Sequence, residues 1–135
     1  MGVIPFPQWR AHCYVDRYNR NVIRLWLDEN DIQVPDRSAL QALIDICEYS
    51  GPKALASCTI DLGSGFFALS SRRRGGPELS PVFCHGPFSD SEITFLAGAR
   101  LENGQLKPRY AAGIAEENLE VLQRHPDRRR REPFT

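Results

Sequence analysis

The sequence lacks a long apolar run, a net charge and any closely spaced pair of cysteines. No stretch approaches the roughly 20 apolar residues of a membrane-spanning helix, so the chain is not predicted to enter a bilayer. Seventeen Lys and Arg residues balance seventeen Asp and Glu residues, and this zero net charge gives no general attraction to nucleic acid. Cys13, Cys47, Cys58 and Cys84 form no C-x-x-C motif, which argues against zinc and redox sites and favours buried free thiols.

The remaining composition is typical of a globular protein. Hydrophobic residues make up 41% of the chain, aromatic residues 10% and charged residues 25%, and 135 residues suit one domain. The N-terminal MGVIPFPQWR has no charged start followed by an apolar core, so a secretory signal is not predicted and a cytoplasmic location is expected. Positive charge is concentrated in SRRRGG at 71–76 and RHPDRRRREP at 124–133.

Hydrophobic spacing predicts a strand and then two helices in the first part of the chain. Apolar residues alternate through 9–18, which is typical of a strand. Residues 21–30 have the spacing of a short helix that Asn21 can cap. Residues 35–50 have the spacing of a longer helix, which Gly51 and Pro52 end.

From residue 54 the hydrophobic period changes to two. Four antiparallel strands are predicted at 54–62, 66–74, 79–88 and 93–102, joined by the turns GSG, GGPE and FSDSE. A last helix is predicted from about Lys107 to Arg124. The predicted fold is therefore α+β: a curved antiparallel sheet of about five strands, with two N-terminal helices and a C-terminal helix against one face. A single domain over residues 1–126 is expected, followed by a basic, flexible tail at 127–135.

Three segments, ALIDICEYSGP, GFFALSSRR and FLAGARLENGQLKPRYAAGIAEENLEVL, follow one another in an order found in a known family. They resemble, respectively, the leucine-rich helix ending in Gly, the Gly-Leu-Trp-Glu-Leu-Arg strand, and the strand, basic turn, Pro and terminal helix of the RelE/ParE superfamily of bacterial toxins. The resemblance is to its HigB-like and phage-derived branch and covers roughly residues 9–124. It implies a RelE-like fold.

The chain departs from the family pattern where that family has charged residues. The usual Glu and Arg of the second segment fall on Ala68 and Ser70, and Pro81 stands where Arg is frequent. In the basic turn, Leu101 and Glu102 replace common lysines. The resemblance therefore supports the fold more firmly than the activity.

The resemblance implies the toxin of a type II toxin–antitoxin system, an mRNA interferase that cleaves messages on the ribosome as a metal-independent endoribonuclease. The expected partners are a cognate antitoxin protein, the ribosome and mRNA. No membrane, metal or small-molecule cofactor is expected. Two alternatives remain open: a ParE-like inhibitor of DNA gyrase, and a non-catalytic RelE-fold module for protein interaction.

Such RNA cleavage needs a base for the 2′-hydroxyl, cations for the charged phosphorane and an acid for the leaving oxygen. His85, Arg100 and Tyr110 are the predicted catalytic residues, because His85 and Tyr110 have exchangeable protons and Arg100 stands where the resembling family keeps a cation. The cations predicted to contact RNA are Arg72, Arg73, Arg74, Lys107 and Arg109. The alternatives are a half-exposed strand histidine, a packing tyrosine and a solvated arginine turn.

Overall fold

The structure is a computed structural model that describes residues 7–135. Its helices are α1 (Val22–Glu29), α2 (Val34–Ser50) and α3 (Ala111–Arg124), with a 3₁₀ helix at Pro52–Cys58. Its strands are β1 (Arg10–Tyr14), β2 (Thr59–Gly63), β3 (Phe66–Leu69), β4 (Ser71–Arg72), β5 (Glu78–Leu79), β6 (Val82–His85), β7 (Glu92–Ala97), β8 (Arg100–Glu102), β9 (Gln105–Lys107) and β10 (Arg129–Arg130). No helix in this part of the chain is long and apolar enough to cross a membrane.

The strands form two open sheets. The larger sheet has six strands in the order β10-β1-β7-β6-β3-β2, and it is mixed because β1 runs parallel to β7 while its other pairs are antiparallel. The smaller sheet has four antiparallel strands in the order β4-β5-β8-β9. The α+β class is thus confirmed, but the prediction of one antiparallel sheet of about five strands is wrong.

Three of the long predicted strands are each divided between the two sheets. Residues 66–74 supply β3 and β4, residues 79–88 supply β5 and β6, and residues 93–102 supply β7 and β8. One break falls at Pro81, which has no N–H to continue a ladder. Another falls at Gly98, where a Cβ would overlap the Trp26 ring. Each of these three segments therefore passes from one sheet to the other.

Helices cover both faces of the large sheet, whereas the sequence pattern predicted one face. Leu27 of α1 and Ile44 of α2 lie in one core with Phe95. Ala115 and Leu122 of α3 lie in a second core on the opposite face. The prediction that the helices pack against one face is therefore wrong. Every residue of β7 is buried, as expected for a central strand that helices cover on both sides.

The C-terminal residues are part of the fold. β10 pairs with β1, and Phe134 is only 2% exposed. The Phe134 ring meets Phe95 edge-on at 5.9 Å, and its backbone N–H donates to Gln41 Oε1 at 2.9 Å. The prediction of a flexible tail at 127–135 is wrong, because its strand pairing and buried ring anchor it to the core.

All four cysteines are free thiols. Cys13, Cys47 and Cys84 are buried as predicted, and Cys58 is half-buried. Burial raises the pKa of Cys13 to about 12 and that of Cys47 to about 11. These thiols therefore act as core hydrophobes with little thiolate at neutral pH.

Candidate functional site

The β8–β9 hairpin sets two of the predicted cations side by side. Arg100 lies directly opposite Lys107 in the antiparallel register. Residues paired in this way project from the same face with Cβ atoms about 5 Å apart. The turn residues Asn103 and Gly104 have φ values of 52° and 76°, as a two-residue type I′ turn requires. The turn therefore fixes the register that pairs the two cations.

Glu102 offsets the repulsion between these two like charges. Its Oε1 lies 2.6 Å from Arg100 Nη2, and the two side chains are 42% and 39% exposed. Water screens such a pair, so it contributes at most about 1 kcal/mol to stability. A phosphate group can therefore take the place of the carboxylate at the Arg100 guanidinium.

Arg109 and Tyr110 lie at the junction between the hairpin and α3. Arg109 Nη2 donates to Gln105 Oε1 of β9 at 2.8 Å. Tyr110 is the N-cap residue of α3 and is 69% exposed. The helix begins after the predicted Lys107 because Lys107 belongs to β9. The phenol is therefore available to a ligand, at the start of the helix that follows the hairpin.

The three consecutive arginines have different surroundings. Arg72 of β4 lies opposite Glu78, which lies opposite Leu101 of β8. Since neighbouring residues alternate along a strand, Arg72 projects from the face opposite to Arg100. Arg73 Nε donates to Asp36 Oδ1 of α2 at 3.1 Å, so Arg73 ties the β4–β5 turn to that helix.

Arg74 is exposed in the β4–β5 turn. The arginine segment therefore divides into one residue that anchors the turn, Arg73, and two exposed cations, Arg72 and Arg74. Lys107 projects from the same strand face as Arg100, whereas Arg72 projects from the opposite face and Arg74 lies in the β4–β5 turn.

His85 lies apart from the hairpin. It ends β6 opposite Ile93 near the start of β7, whereas Arg100 follows the end of β7. Its exposed ring stacks on Phe67 at 5.1 Å and meets Trp9 edge-on at 6.2 Å. The predicted catalytic residues therefore do not form one site: Arg100 lies in the hairpin and Tyr110 follows the hairpin in the chain, whereas His85 is at the other end of the large sheet.

The sequence pattern did not single out Glu102 as functional, because it marked this position only as a missing lysine. Once the hairpin register is known, Glu102 is the carboxylate nearest to the Arg100 guanidinium. A carboxylate oxygen can accept a proton from a hydroxyl group. The hairpin thus has cations, a candidate base and a phenol.

A second charged site lies near the start of β1 and β7. A cleft of about 350 Å³ is lined by Pro7, Gln8, Arg10, His12, Ser89, Ser91, Glu92 and Arg129. The Glu92 side chain is 3% exposed and forms an ion pair with Arg129, and its Oε2 lies 3.6 Å from His12 Nδ1. The alternating pattern put His12 on one side of β1, but the pairing of β1 with distant β7 had no sequence signal.

No three His, Cys, Asp or Glu side chains within residues 7–135 are placed to hold a metal ion.

Comparisons of the chain with protein-family models, curated proteins and solved structures found no match. The resemblance to the RelE/ParE superfamily therefore rests on the sequence segments alone. Any function must be argued from the residues of the hairpin and the cleft.

Proposed function

We propose that the chain is the toxin of a type II toxin–antitoxin system with a RelE-like fold, and that it cleaves mRNA on the ribosome as a metal-independent endoribonuclease. The observation that carries the proposal is the pairing of Arg100 with Lys107 in the β8–β9 hairpin, which Tyr110 follows in the chain. The order of elements also supports it, because the resembling family likewise opens with a strand, a short helix and a longer helix ending in Gly, and has a C-terminal helix, after which this chain adds β10.

The hairpin offers a group for each chemical role in RNA cleavage. Arg100 and Lys107 bind the scissile phosphate and stabilise the charge that develops on it. Glu102 takes the proton of the 2′-hydroxyl, whose oxygen then attacks phosphorus. Tyr110 protonates the departing 5′-oxygen or stacks on a base. The expected products are a 2′,3′-cyclic phosphate and a 5′-hydroxyl end.

His85 has no part in this chemistry. It lies at the opposite end of β7 from Arg100, beyond reach of a phosphate held by the hairpin. Arg109, which donates to Gln105 of β9, extends the positive surface along neighbouring RNA phosphates, and Arg74 is a further exposed cation. Arg72 projects from the opposite face of the small sheet and lies outside this surface. A cognate antitoxin is the proposed protein partner, and it would block toxicity by covering the hairpin.

The proposal is tested by inducing the natural chain and its variants in a bacterial host, with growth and message integrity as the readouts. Arg100→Gln and Lys107→Gln are expected to relieve arrest and message cutting. Arg17→Gln is the matched control, because Arg17 is an exposed arginine whose guanidinium lies over the Tyr18 ring, outside the hairpin. His85→Gln should remain as toxic as the natural chain.

The two alternatives predict different results in the same experiment. Arrest with intact messages and a DNA-damage response would select the gyrase inhibitor. Normal growth at good expression would select the non-catalytic module, which the Arg100–Glu102 ion pair and the Ala68 and Ser70 departures favour.

A further inference from the structure

The cleft near the start of β1 and β7 has an excess of cations. Glu92 is buried and engaged by Arg129, so its charge is largely balanced. Within residues 7–135, the exposed Arg10 side chain has no ion-pair partner. Arg10 therefore leaves an uncompensated positive charge at the mouth of the cleft.

The pKa of His12 reflects the positive charge around the cleft. Its pKa is lowered to about 4, first by burial and then by the charges of Arg129, Arg131 and Arg10. Glu92 lies 3.6 Å away, yet the net effect of its surroundings is to disfavour a proton on the ring. An anion bound in the cleft would make protonation of the His12 ring less unfavourable.

The charged groups around His12 come from every neighbouring element. Arg10 is on β1, Glu92 on β7 and Arg129 on β10. Arg131 follows β10, and its Nη2 donates at 2.8 Å to Glu48 Oε2 of α2. Cations thus outnumber carboxylates around a ring that is uncharged at neutral pH.

The cleft also contains hydrogen-bonding groups, of which the two serine hydroxyls bond each other and Ser89 Oγ accepts from the Ser91 N–H. His12 Nδ1 is buried and has no hydrogen-bond partner among the described residues. Ser89 and Ser91 are exposed on the β6–β7 loop, with their hydroxyl oxygens 3.3 Å apart. A guanidinium and two hydroxyls suit the several oxygens of a phosphate better than the two of a carboxylate.

We propose that this cleft binds a phosphate monoester group, held by Arg10, Ser89 and Ser91 beside the Glu92–Arg129 pair, and that His12 takes up a proton as the group binds. The bound dianion adds a second negative charge near the ring, where Glu92 at 3.6 Å is already engaged by Arg129. The site lies at the opposite end of β7 from Arg100, so it does not depend on RNA cleavage. The cleft is larger than inorganic phosphate and leaves room for the rest of a small phosphorylated molecule.

Titration calorimetry with the purified full chain tests this site without any activity assay. Inorganic phosphate and adenosine 5′-monophosphate are titrated at pH 7 in two buffers of different ionisation enthalpy, which measures proton uptake. The natural chain should bind both and take up more protons per phosphate than His12→Gln does, because the ligand's own ionisation is the same in the two titrations. Binding of the nucleotide alone would still support a phosphate monoester site and would show that the organic part contributes.

Arg10→Gln should weaken binding about tenfold, as expected for the loss of a charge-assisted hydrogen bond. His12→Gln should take up fewer protons than the natural chain, and Arg17→Gln should change neither the affinity nor the proton uptake. Circular dichroism of each variant checks folding, and Arg10→Gln alters only an exposed side chain.

Three results would overturn the proposal: no heat with either probe, binding unchanged in Arg10→Gln, or the same proton uptake in the natural chain and His12→Gln. Equally tight binding of a short RNA that lacks terminal phosphates, lost in Arg10→Gln, would also overturn it, because the cleft would then bind phosphodiesters. Loss of toxicity in Arg100→Gln has no bearing on these outcomes, so the two proposals can fail separately.

Discussion

Burial and nearby arginines control the charge of His12 more than its neighbouring carboxylate does. Glu92 lies 3.6 Å from the ring, and such a charge alone would favour protonation. The pKa of His12 is instead lowered to about 4 by burial, Arg129, Arg131 and Arg10. His12 is therefore neutral in the folded protein over a pH range in which the unfolded chain binds a proton.

This difference predicts that His12 makes the fold sensitive to acid. Above pH 6.5, the unfolded pKa, neither state protonates His12, and its contribution to stability is fully present. As the pH falls from 6.5 to about 4, the unfolded state gains the proton and the folded state resists it. The free energy of unfolding should fall by about 2–3 kcal/mol more in the natural chain than in His12→Gln.

Urea unfolding at a series of pH values measures this difference. His125→Gln is the matched control, because His125 is an exposed histidine at the C-terminal cap of α3. It should keep the acid sensitivity of the natural chain. An identical pH dependence in the natural chain and His12→Gln would contradict the prediction.

Short-range patterns in the sequence were sufficient for some of these residues. The absence of C-x-x-C spacing predicted free thiols. Alternation along β6 put His85 on an outer face of the sheet, but His85 lies on the face of buried Phe83 and is exposed because it ends the strand. The His12 environment was not predictable, because Glu92 and Arg129 reach it from strands far along the chain.

At the element scale, the bend between β7 and β8 depends on one glycine. Gly98 leaves room for the Trp26 ring of α1 against the backbone, and a Cβ there would overlap Trp26 Cγ and Cβ. Its φ is not in the left-handed region, so the requirement is steric. This contact packs α1 against the junction where the chain leaves the large sheet.

Gly98→Ala should therefore destabilise the fold by about 1–3 kcal/mol through overpacking. Gly113→Ala is the matched control, because a Cβ at Gly113 meets no atom within 4 Å. In α3 the same change should be neutral or stabilise by up to about 1 kcal/mol. Thermal and urea unfolding of both variants measures the contrast, and equal effects would show that Gly98 is not a packing constraint.

The helices were more predictable than the strands. The expected helix at 21–30 is α1 at Val22–Glu29, and the one at 35–50 is α2 at Val34–Ser50, because helical periodicity is local. The strands were divided wrongly, since three of the four apolar runs serve two sheets without a change of period. The fourth run, at 54–62, begins in the 3₁₀ helix and supplies only β2. The type of element was therefore easier to infer than its partner.

At the scale of the whole molecule, the C-terminal segment closes one core. β10 adds an edge strand beside β1, and Phe134 enters the core that α1 and α2 share with the sheet. Arg131 Nη2 also donates to Glu48 Oε2 of α2. Four successive arginines made this segment look like a solvated tail, because composition does not reveal partners contributed by distant elements.

Phe134→Ala should lower the free energy of unfolding by about 3–5 kcal/mol, because it leaves a cavity in the core. Phe88→Ala serves as the control: Phe88 is 42% exposed and contacts the Arg129 guanidinium at 4.8 Å. Its loss should cost no more than about 1 kcal/mol. If urea unfolding finds Phe134→Ala as stable as Phe88→Ala, the segment does not contribute to the core.

The candidate site was predicted in part. The sequence segment 92–122 pointed to Arg100, Lys107, Arg109 and Tyr110, and the hairpin register explains how the first two become neighbours. His85 was grouped with them because residue type alone does not show at which end of a sheet a side chain lies. The role proposed for Glu102 depends on its ion pair with Arg100, which the sequence did not reveal.

The most direct test of the proposed function is message cleavage in a reconstituted bacterial translation system supplied with the purified chain. The account predicts cuts in translated messages that leave 2′,3′-cyclic phosphate and 5′-hydroxyl ends. Arg100→Gln should slow cutting by about 10²–10³-fold, as expected for the loss of a group that stabilises the transition state. His85→Gln should cut at the natural rate. Uncut messages with the natural chain, or equal rates with and without the Arg100 guanidinium, would contradict the account.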